Sequence, residues 1–355
     1  MKEKNIAIKP FTSTNFLKTK DNSLVQLFCF MIIIFLLMWI IGGSSFFSIA
    51  SFKSISFQFP ILGILSLAMM LTMISGGIDL SLVAISNLTS IVAALFMSKF
   101  IPADASGTVV FVYVLIAIVL SIIVGILCGF FNGFAISIIG IPAILVTLGT
   151  SQLFMGLAIV ITKGQAVIGL PRQYSEIGYG NVLGIPFPLI IFVVMVAITF
   201  YLLNKRKFGI ELQLMGANPK SSKYSGINNL KVTLQTYMIS GAFGAVTGLL
   251  IIASTNSAKA DFGTSYILQT ILVAVLGGVS VKGGFGKVAG IVMAVLILQF
   301  LSTGLNALQL GNFFKDFIWG AVLLLIMSVK EISRIINKRK ELKSKGRHLN
   351  EKVYE

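Results

Sequence analysis

The chain has 355 residues, of which 56% are hydrophobic and only 11% are charged. Soluble domains carry roughly a quarter charged residues, so this composition argues against a soluble protein and points to a lipid bilayer. A net charge of +16 would suggest nucleic-acid binding in a soluble protein. Here the basic residues lie between and outside long apolar runs, so we interpret them as topology signals and expect no nucleic-acid partner.

Ten apolar runs are candidate membrane-spanning helices, because a helix needs about 20 mostly apolar residues to cross a bilayer. The first run has no features of a cleavable signal peptide, so we expect it to be retained. The fifth run is interrupted by Gly140 and Pro142, which favours a broken helix, and the eighth is short. The sequence predicts an all-α polytopic membrane protein of about ten transmembrane helices, at 26–44, 57–75, 80–98, 108–131, 134–162, 187–203, 232–253, 266–280, 286–303 and 312–329.

The basic residues predict how these helices are oriented. With ten spans, both termini lie on one side, and that side holds 22 of the 28 Lys and Arg residues. Because cytoplasmic segments are enriched in Lys and Arg, both termini are predicted to be cytoplasmic. The predicted organisation is a cytoplasmic tail at 1–25, a transmembrane domain at 26–329 with a cytoplasmic loop at 204–231, and a basic cytoplasmic tail at 330–355.

Residues that could support catalysis or hold a metal are scarce. The glycine-rich stretch at 283–287 lacks the spacing of a phosphate-binding loop. The single histidine, His348, lies in a polar tail, and Cys29 and Cys128 match no metal or redox spacing. We therefore do not expect an enzyme, and we expect no metal or cofactor in this chain; if ATP is used, a partner must hydrolyse it.

Polar residues inside the apolar runs are candidates for a solute pathway. Asp79 is the most notable, because an ionisable group at a membrane helix end is costly. It precedes a helix start, so capping that helix is the alternative role. The other polar residues are uncharged, and hydrogen bonding between helices is their alternative role. The predicted pathway residues are Asp79, Asn87, Asn132, Thr147, Thr150, Gln152 and Gln269, with Gln299 and Asn306 of the same chemical type.

Four blocks, in chain order from residue 75 to 290, resemble motifs of the ribose-type sugar permeases of ABC importers. They are Ser75–Ser81 (SGGIDLS); Gly129–Gly133 (GFFNG) followed by Ile141–Thr150 (IPAILVTLGT); Phe208-Gly209 leading to Gly216–Pro219 (GANP) and Ser225–Ile227 (SGI); and Leu276–Gly278 (LGG) with Gly283–Gly286 (GGFG). Leu82-Val83 and Ser221-Ser222 depart from the usual pattern, which bears on substrate and partner detail more than on family.

The resemblance implies a permease subunit in a bacterial cytoplasmic membrane that translocates a monosaccharide, ribose or a similar small sugar. It implies a homodimer or a pair of like permeases embedded in lipid, a separate ABC ATPase that uses ATP, and an extracytoplasmic sugar-binding protein. The predicted ATPase-coupling residues lie in the longest internal cytoplasmic segment: Gly216, Ala217, Asn218, Pro219, Ser222, Ser225 and Gly226.

Two further expectations concern this coupling segment and the external side. Asn218 can cap a helix that begins at Pro219, since proline is favoured at the first helical position. A bulky residue at Gly216 is expected to leave the spans folded but uncouple them from the ATPase. On the external side, Lys163, Arg172 and Lys259 are the candidate contacts for an acidic surface of the binding protein.

An ion-coupled secondary transporter of a small polar solute is the alternative function. Such proteins usually carry buried acidic or cationic relays, and only Asp79 and Asp316 lie near membrane depth. The identity of the sugar stays open among ribose, other pentoses or hexoses, and a small furanose-like signal molecule; branched-chain amino acid permeases fit the motifs less well.

Overall fold

The computed structural model describes residues 22–102, 105–311, 314–325 and 327–328. The predicted tail at 330–355, and the tail at 1–25 up to residue 21, lie outside the described residues. We number twelve α-helices of this part of the chain in sequence order: α1 (Asn22–Phe46), α2 (Ile49–Ile74), α3 (Leu82–Phe100), α4 (Gly107–Phe134), α5 (Ala143–Thr162), α6 (Arg172–Tyr179), α7 (Phe187–Asn204), α8 (Lys207–Ala217), α9 (Pro219–Tyr224), α10 (Asn229–Thr255), α11 (Tyr266–Leu276) and α12 (Val288–Ala307).

Strands are confined to two short antiparallel pairs in the described part of the chain. β1 (Val167–Ile168) pairs with β4 (Ser257–Ala258), and β2 (Asn181–Val182) pairs with β3 (Ile185–Pro186). The first pair joins the segment after α5 to the segment after α10. The prediction of an all-α polytopic protein is confirmed.

Eight helices within the described residues are long and apolar enough to cross a membrane: α1, α2, α3, α4 with its extension, α5, α7, α10 and α12. The predicted run at 266–280 is shorter than expected, because α11 ends at Leu276 before a pair of glycines. Its 11 residues extend about 16 Å, roughly half of a bilayer core. The predicted run at 312–329 is helical at 314–325 and 327–328.

The predicted interruption at Gly140 and Pro142 is present, but it separates two helices. Residues 134–139 continue the preceding helix, since α4 runs into a π-helical turn over Ala135–Ile139. Gly140 then adopts a left-handed conformation, and Pro142 disfavours helical backbone in the residue before it. α5 therefore starts afresh at Ala143 and runs regularly for 20 residues.

Helix α2 forms the centre of the bundle, with every residue from Phe59 to Ile74 buried. It packs against α7, α10, α11 and α12. A helix that is enclosed on all sides needs apolar residues all around, which explains why its sequence lacks an amphipathic stripe. A second cluster joins α3, α4, α5, α6 and α10.

Glycines allow α4 and α10 to touch through their backbones. A Cβ atom added to Gly125 would lie 2.5 Å from the carbonyl oxygen of Gly241, and one added to Gly129 would overlap the carbonyl of Tyr237. Small residues at this spacing let helices approach closely in lipid, where no hydrophobic effect drives helices together. These contacts hold α10 against α4, and both helices contribute side chains to the candidate functional site.

The predicted orientation can be tested by cysteine labelling of α9. Lys223 is exposed, whereas Ser222 is buried and would react poorly. In a background without Cys29 and Cys128, Lys223→Cys is expected to resist an impermeant maleimide in intact cells and to react after permeabilisation, because basic loops face the cytoplasm. Leu183→Cys, at a position 98% exposed on the opposite side, is the control and should react in intact cells. The reversed labelling pattern would contradict the orientation.

Candidate functional site

Helices α2 and α11 end in the same glycine-based cap. At the end of α2, the Gly76 N–H donates to the Met73 carbonyl and the Gly77 N–H to the Thr72 carbonyl. At the end of α11, the Gly278 N–H donates to the Val275 carbonyl and the Val279 N–H donates to the Ala274 carbonyl. Gly76 and Gly278 have φ values of 88° and 85°, which favour glycine. The two helix ends therefore share one backbone conformation, in which Gly76 is equivalent to Gly278.

The loops after these caps meet α8 in a cluster that we call the glycine node: Gly76, Gly216, Gly283 and Gly284. The Gly284 N–H donates to the carbonyl of Ile74 at 2.8 Å. A Cβ added to Gly283 would lie 2.7 Å from the Gly216 carbonyl oxygen and 3.0 Å from Gly76 Cα. Three of the four sequence blocks therefore converge here, through backbones packed too closely for larger residues.

The glycine node overturns one expectation about Gly216. This residue is buried, and a Cβ on it would overlap the Ile74 carbonyl and lie 2.6 Å from the Gly284 nitrogen. A bulky side chain at Gly216 would therefore push α8 away from the end of α2. The expectation that such a substitution leaves the packing of the spans intact is wrong, because the residue belongs to the protein interior.

A second cluster, the Asp79 network, lies in the loop between α2 and α3. Asp79 Oδ1 accepts hydrogen bonds from the Ser81 N–H at 3.0 Å and the Ser81 hydroxyl at 2.6 Å, while Oδ2 accepts from the Ser240 hydroxyl of α10 at 2.9 Å. Asn132 of α4 donates to Ser81 Oγ at 2.8 Å. Asp79, Ser81, Asn132 and Ser240 are all fully buried. This network ties the start of α3 to α4 and α10.

Two buried polar atoms in this region have no hydrogen-bond partner among the described residues: Asn132 Oδ1 and the Tyr237 hydroxyl. Burial raises the pKa of the Asp79 carboxyl above its usual range, while the hydrogen bonds from Ser81 and Ser240 act in the opposite direction. Asp79 lies two residues before Ser81, which is the N-cap residue of α3. The carboxylate binds the Ser81 N–H beside the start of α3 and also reaches Ser240 of α10, so it links these two helices.

Thr147 joins α5 to the same loop. Its hydroxyl lies 2.9 Å from the carbonyl oxygen of Ile78 and 2.8 Å from that of Ala143. Thr150 contacts the Thr147 carbonyl at 3.4 Å within its own helix. Asp79, Asn132 and Thr147 are therefore brought together around residues 75–81, as side chains that fasten helices to one another. Their predicted place on a solute pathway is not tested by these contacts.

Asn87 and Gln152 lie apart from this cluster. Asn87 of α3 is buried and donates to the carbonyls of Ala260 and Phe262, at 2.9 and 3.0 Å. It thereby satisfies irregular backbone packed inside the bundle, as such backbone requires in a membrane. Gln152 is exposed near the middle of α5.

Gln269 contributes to what we call the polar cavity, a space of about 320 Å³ between α2, α11, α12 and the helix at 314–325. Gln299 Nε2 lies 3.5 Å from Gln58 Oε1, and Lys315 hydrogen bonds to Asn306 Oδ1. The lining combines amides, one acidic and one basic residue, hydroxyls and aromatic rings: Gln58, Leu62, Phe262, Gly263, Ser265, Tyr266, Gln269, Leu298, Gln299, Ser302, Asn306, Lys315, Asp316 and Trp319.

Several of these lining residues were not predicted from the sequence as pathway residues, notably Gln58, Ser302 and Trp319. Each lies in a predominantly apolar run, and alone it carries little signal. A glutamine within a membrane helix was the available clue, because an amide in lipid is costly without a partner. Folding brings residues 58 and 319 into one cavity, which no local pattern reveals.

The predicted coupling segment folds into the two consecutive helices α8 and α9. Asn218 Oδ1 accepts from the backbone N–H groups of Lys220 and Ser221, and α9 begins at Pro219, so the predicted cap is confirmed. Ser222 is buried and donates to the Pro219 carbonyl or Asn229 Oδ1. Ala217 is the last residue of α8, Ser225 caps the end of α9, and Gly226 follows in the left-handed conformation.

Tyr224, at the end of α9, is a surface feature that sequence reasoning missed. Its side chain is 93% exposed, on a helix held rigidly by caps at both ends. An exposed tyrosine on a rigid element is a favourable anchor for a protein partner, since interface hot spots are enriched in tyrosine.

The three basic residues that are predicted to be external are exposed and lie near one another in the topology. Lys163 caps the end of α5, Arg172 begins α6, and Lys259 directly follows β4, which pairs with β1. Arg172 is 4.0 Å from Glu176 across a turn of α6. Helix α6 is anchored by Tyr174, whose buried hydroxyl donates to the Leu249 carbonyl at 2.7 Å.

Comparisons with known proteins agree with this architecture. The family model described as "Branched-chain amino acid transport system / permease component" matches residues 51–327. The ribose import permease protein RbsC of Bacillus subtilis is 36% identical over 271 residues, covering 76% of this chain and 80% of the relative. Autoinducer 2 import system permease proteins LsrD are 28% identical in Yersinia enterocolitica, over 78% of this chain and 82% of the relative, and 29% identical in Enterobacter sp., over 78% and 83%.

No solved structure matches the chain. The family match covers most of the chain, and the relatives described above are permease components of importers. The multi-pass helical fold, the converging motif blocks and these relatives lead to one conclusion: the chain belongs to the family of membrane permease components of ABC importers, alongside the ribose and autoinducer 2 import permeases.

Proposed function

We propose that this chain imports a small, hydroxylated, sugar-like solute across a bacterial cytoplasmic membrane. The polar cavity is the observation that carries the substrate class. Amide groups both donate and accept hydrogen bonds, as sugar hydroxyls do, and the cavity presents four of them, on Gln58, Gln269, Gln299 and Asn306. The relatives named for ribose and autoinducer 2 support the same class.

A branched-chain amino acid is the second candidate substrate, favoured by one feature of the same cavity. Lys315 and Asp316 both line it, and this pair would complement the carboxylate and ammonium groups of a free amino acid. Two considerations favour the sugar. Lys315 already contacts Asn306, and the relatives with named substrates carry hydroxylated solutes.

Energy for import would come from a separate ABC ATPase that docks on α9. This chain lacks a phosphate-binding loop, so force has to enter through a protein contact. Helix α9 is exposed and capped at both ends, while α8 connects it to the glycine node. A push on α9 would therefore reach the ends of α2 and α11 through backbones in direct contact.

A second permease copy, identical or similar, would cover the outer face of α5. Gln152 is exposed near the middle of this helix, where a lipid-facing amide is costly. Nothing lies within 4 Å of the Cβ positions of Gly149 and Gly156, so these glycines leave open space on the same helix. A partner helix could approach closely there, with Gln152 facing the partner or a central path. On the external side, Lys163, Arg172 and Lys259 would meet an acidic surface of the solute-binding protein.

The substrate class is testable through the cognate binding protein. Its thermal stability should rise with ribose or another small sugar and stay constant with leucine, isoleucine or valine, because a ligand that binds the native state stabilises it. Radiolabelled uptake by cells that express the whole importer should be competed by the same sugar. Stabilisation by branched-chain amino acids alone would establish the second candidate instead.

Replacing Gln299 with leucine tests the polar cavity. The Gln299→Leu variant keeps the side-chain size but removes a hydrogen-bonding group, so we expect sugar uptake to fall about tenfold with unchanged membrane abundance. The control is Gln173→Leu, on the exposed surface of α6 outside the cavity, which should transport normally. Equal loss of uptake and abundance would mean that Gln299 serves only in packing.

A further inference from the structure

A second cavity lies outside the proposed transport pathway, on the outer surface of the bundle. It is an open groove of about 600 Å³ between α4, α7, α8 and α10. Its walls are almost entirely apolar and include Ile126, Leu202, Met238, Ile239 and Ala242. A groove of this kind would be filled by hydrocarbon when the protein is in a bilayer.

The mouth of the groove is strongly basic. The chain passes from α7 to α8 through Lys205, Arg206 and Lys207, all of them exposed, and the last two line the groove. The Arg206 guanidinium lies 4.9 Å from the centre of the Tyr201 ring, and this contact orients the guanidinium. Lys207 Nζ lies 3.1 Å from Glu211 Oε1. Glu211 offsets one of the three positive charges, so the mouth keeps a net positive charge.

This combination restricts what can occupy the groove. An apolar ligand would leave the basic mouth unused, and a small anion would leave the apolar walls uncovered. An anionic phospholipid complements both parts, because basic pockets between membrane helices on the cytoplasmic side attract negatively charged headgroups. Gln235, near the mouth, adds an amide within the region where lipid ester groups would lie.

We propose that an anionic phospholipid binds in this groove, with its phosphate at Arg206 and Lys207 and an acyl chain between α4, α7 and α10. Arginine and lysine form charge-assisted hydrogen bonds with phosphate oxygens, and the acyl chain gains the burial of apolar surface. The site is separate from the polar cavity and from α9. It therefore does not depend on which solute is imported.

The test is native mass spectrometry of the full chain in detergent, with phosphatidylglycerol or phosphatidylcholine of identical acyl chains. Wild-type protein should retain phosphatidylglycerol about tenfold more strongly, since each basic residue near a headgroup adds a modest electrostatic attraction. The Arg206→Gln/Lys207→Gln variant should lose that preference. The Lys223→Gln/Lys282→Gln variant, which removes two exposed charges elsewhere, should keep it.

Two further arms define the site. Ala242→Trp, which fills the groove without changing charge, should weaken retention of both lipids, and excess inorganic phosphate should not displace phosphatidylglycerol. Equal retention of the two lipids by wild-type protein would overturn the proposal, as would a preference that survives Arg206→Gln/Lys207→Gln. Equal loss of the preference in the Lys223→Gln/Lys282→Gln control would show only diffuse attraction to a basic surface, and would also overturn it.

Discussion

Replacing Asp79 with leucine is expected to lower the stability of the folded protein by about 2–4 kcal/mol, because it strips the Ser81 N–H and the Ser240 hydroxyl of their buried acceptor. The same change removes the hydrogen-bonded link from Ser240 of α10 to the loop before α3. Asp79→Asn keeps the size and one acceptor oxygen, so its expected loss is about 1 kcal/mol.

Thermal unfolding of the detergent-solubilised protein, followed by size-exclusion chromatography, measures these differences. The control is Thr236→Val, one turn from Ser240 on α10, where the buried hydroxyl donates to the Val232 carbonyl of its own helix. That variant should unfold near the wild-type temperature. If Asp79→Leu is as stable as Thr236→Val, the network does not hold the helices together.

Replacing Tyr224 with alanine is expected to weaken association with the ATPase about 30-fold and to reduce transport accordingly. Truncation of an interface hot spot costs about 2 kcal/mol or more, and Tyr224 is the exposed aromatic side chain of α9. The fold should be unaffected, because the side chain is 93% exposed and outside the interior. Co-purification of the ATPase and reconstituted ATP hydrolysis provide the measurements.

Leu183→Ala is the matched control for Tyr224→Ala, since it removes a similarly exposed apolar side chain at the hairpin between β2 and β3. It should leave ATPase association unchanged. If the Tyr224→Ala variant also binds the ATPase and supports ATP hydrolysis like the wild-type protein, α9 only connects α8 to α10 and does not dock the ATPase. Gly216 is unsuitable for this test, because any larger residue there collides with the end of α2 and would confuse misfolding with uncoupling.

Much of the fold follows from the sequence because bilayer thickness imposes a length on apolar runs. The long spans and the capped helix at Pro219 were predictable from hydropathy and from the Asn-Pro pair. The end of α4 was not predictable, because residues 134–139 are as apolar as α4 before them and α5 after them. The shortness of α11 depends on Gly277 and Gly278 forming a cap, which hydropathy alone does not reveal.

The candidate site was less predictable than the spans. The motif blocks marked Asp79, Asn132 and Thr147, yet only the structure shows that they meet around one loop. The polar cavity draws on residues as distant as Gln58 and Trp319, and their proximity results from tertiary packing. Tyr224 was not predicted because the exposure of an aromatic residue, unlike a glycine motif, cannot be recognised in the sequence.

Solute uptake into proteoliposomes that contain this permease, its ATPase and the loaded binding protein tests the central claim most directly. The account predicts that radiolabelled sugar accumulates only when ATP and the binding protein are both present, and that collapsing proton and sodium gradients with ionophores has no effect. Accumulation driven by an ion gradient through this chain alone, without the ATPase, would contradict the account and establish a secondary transporter.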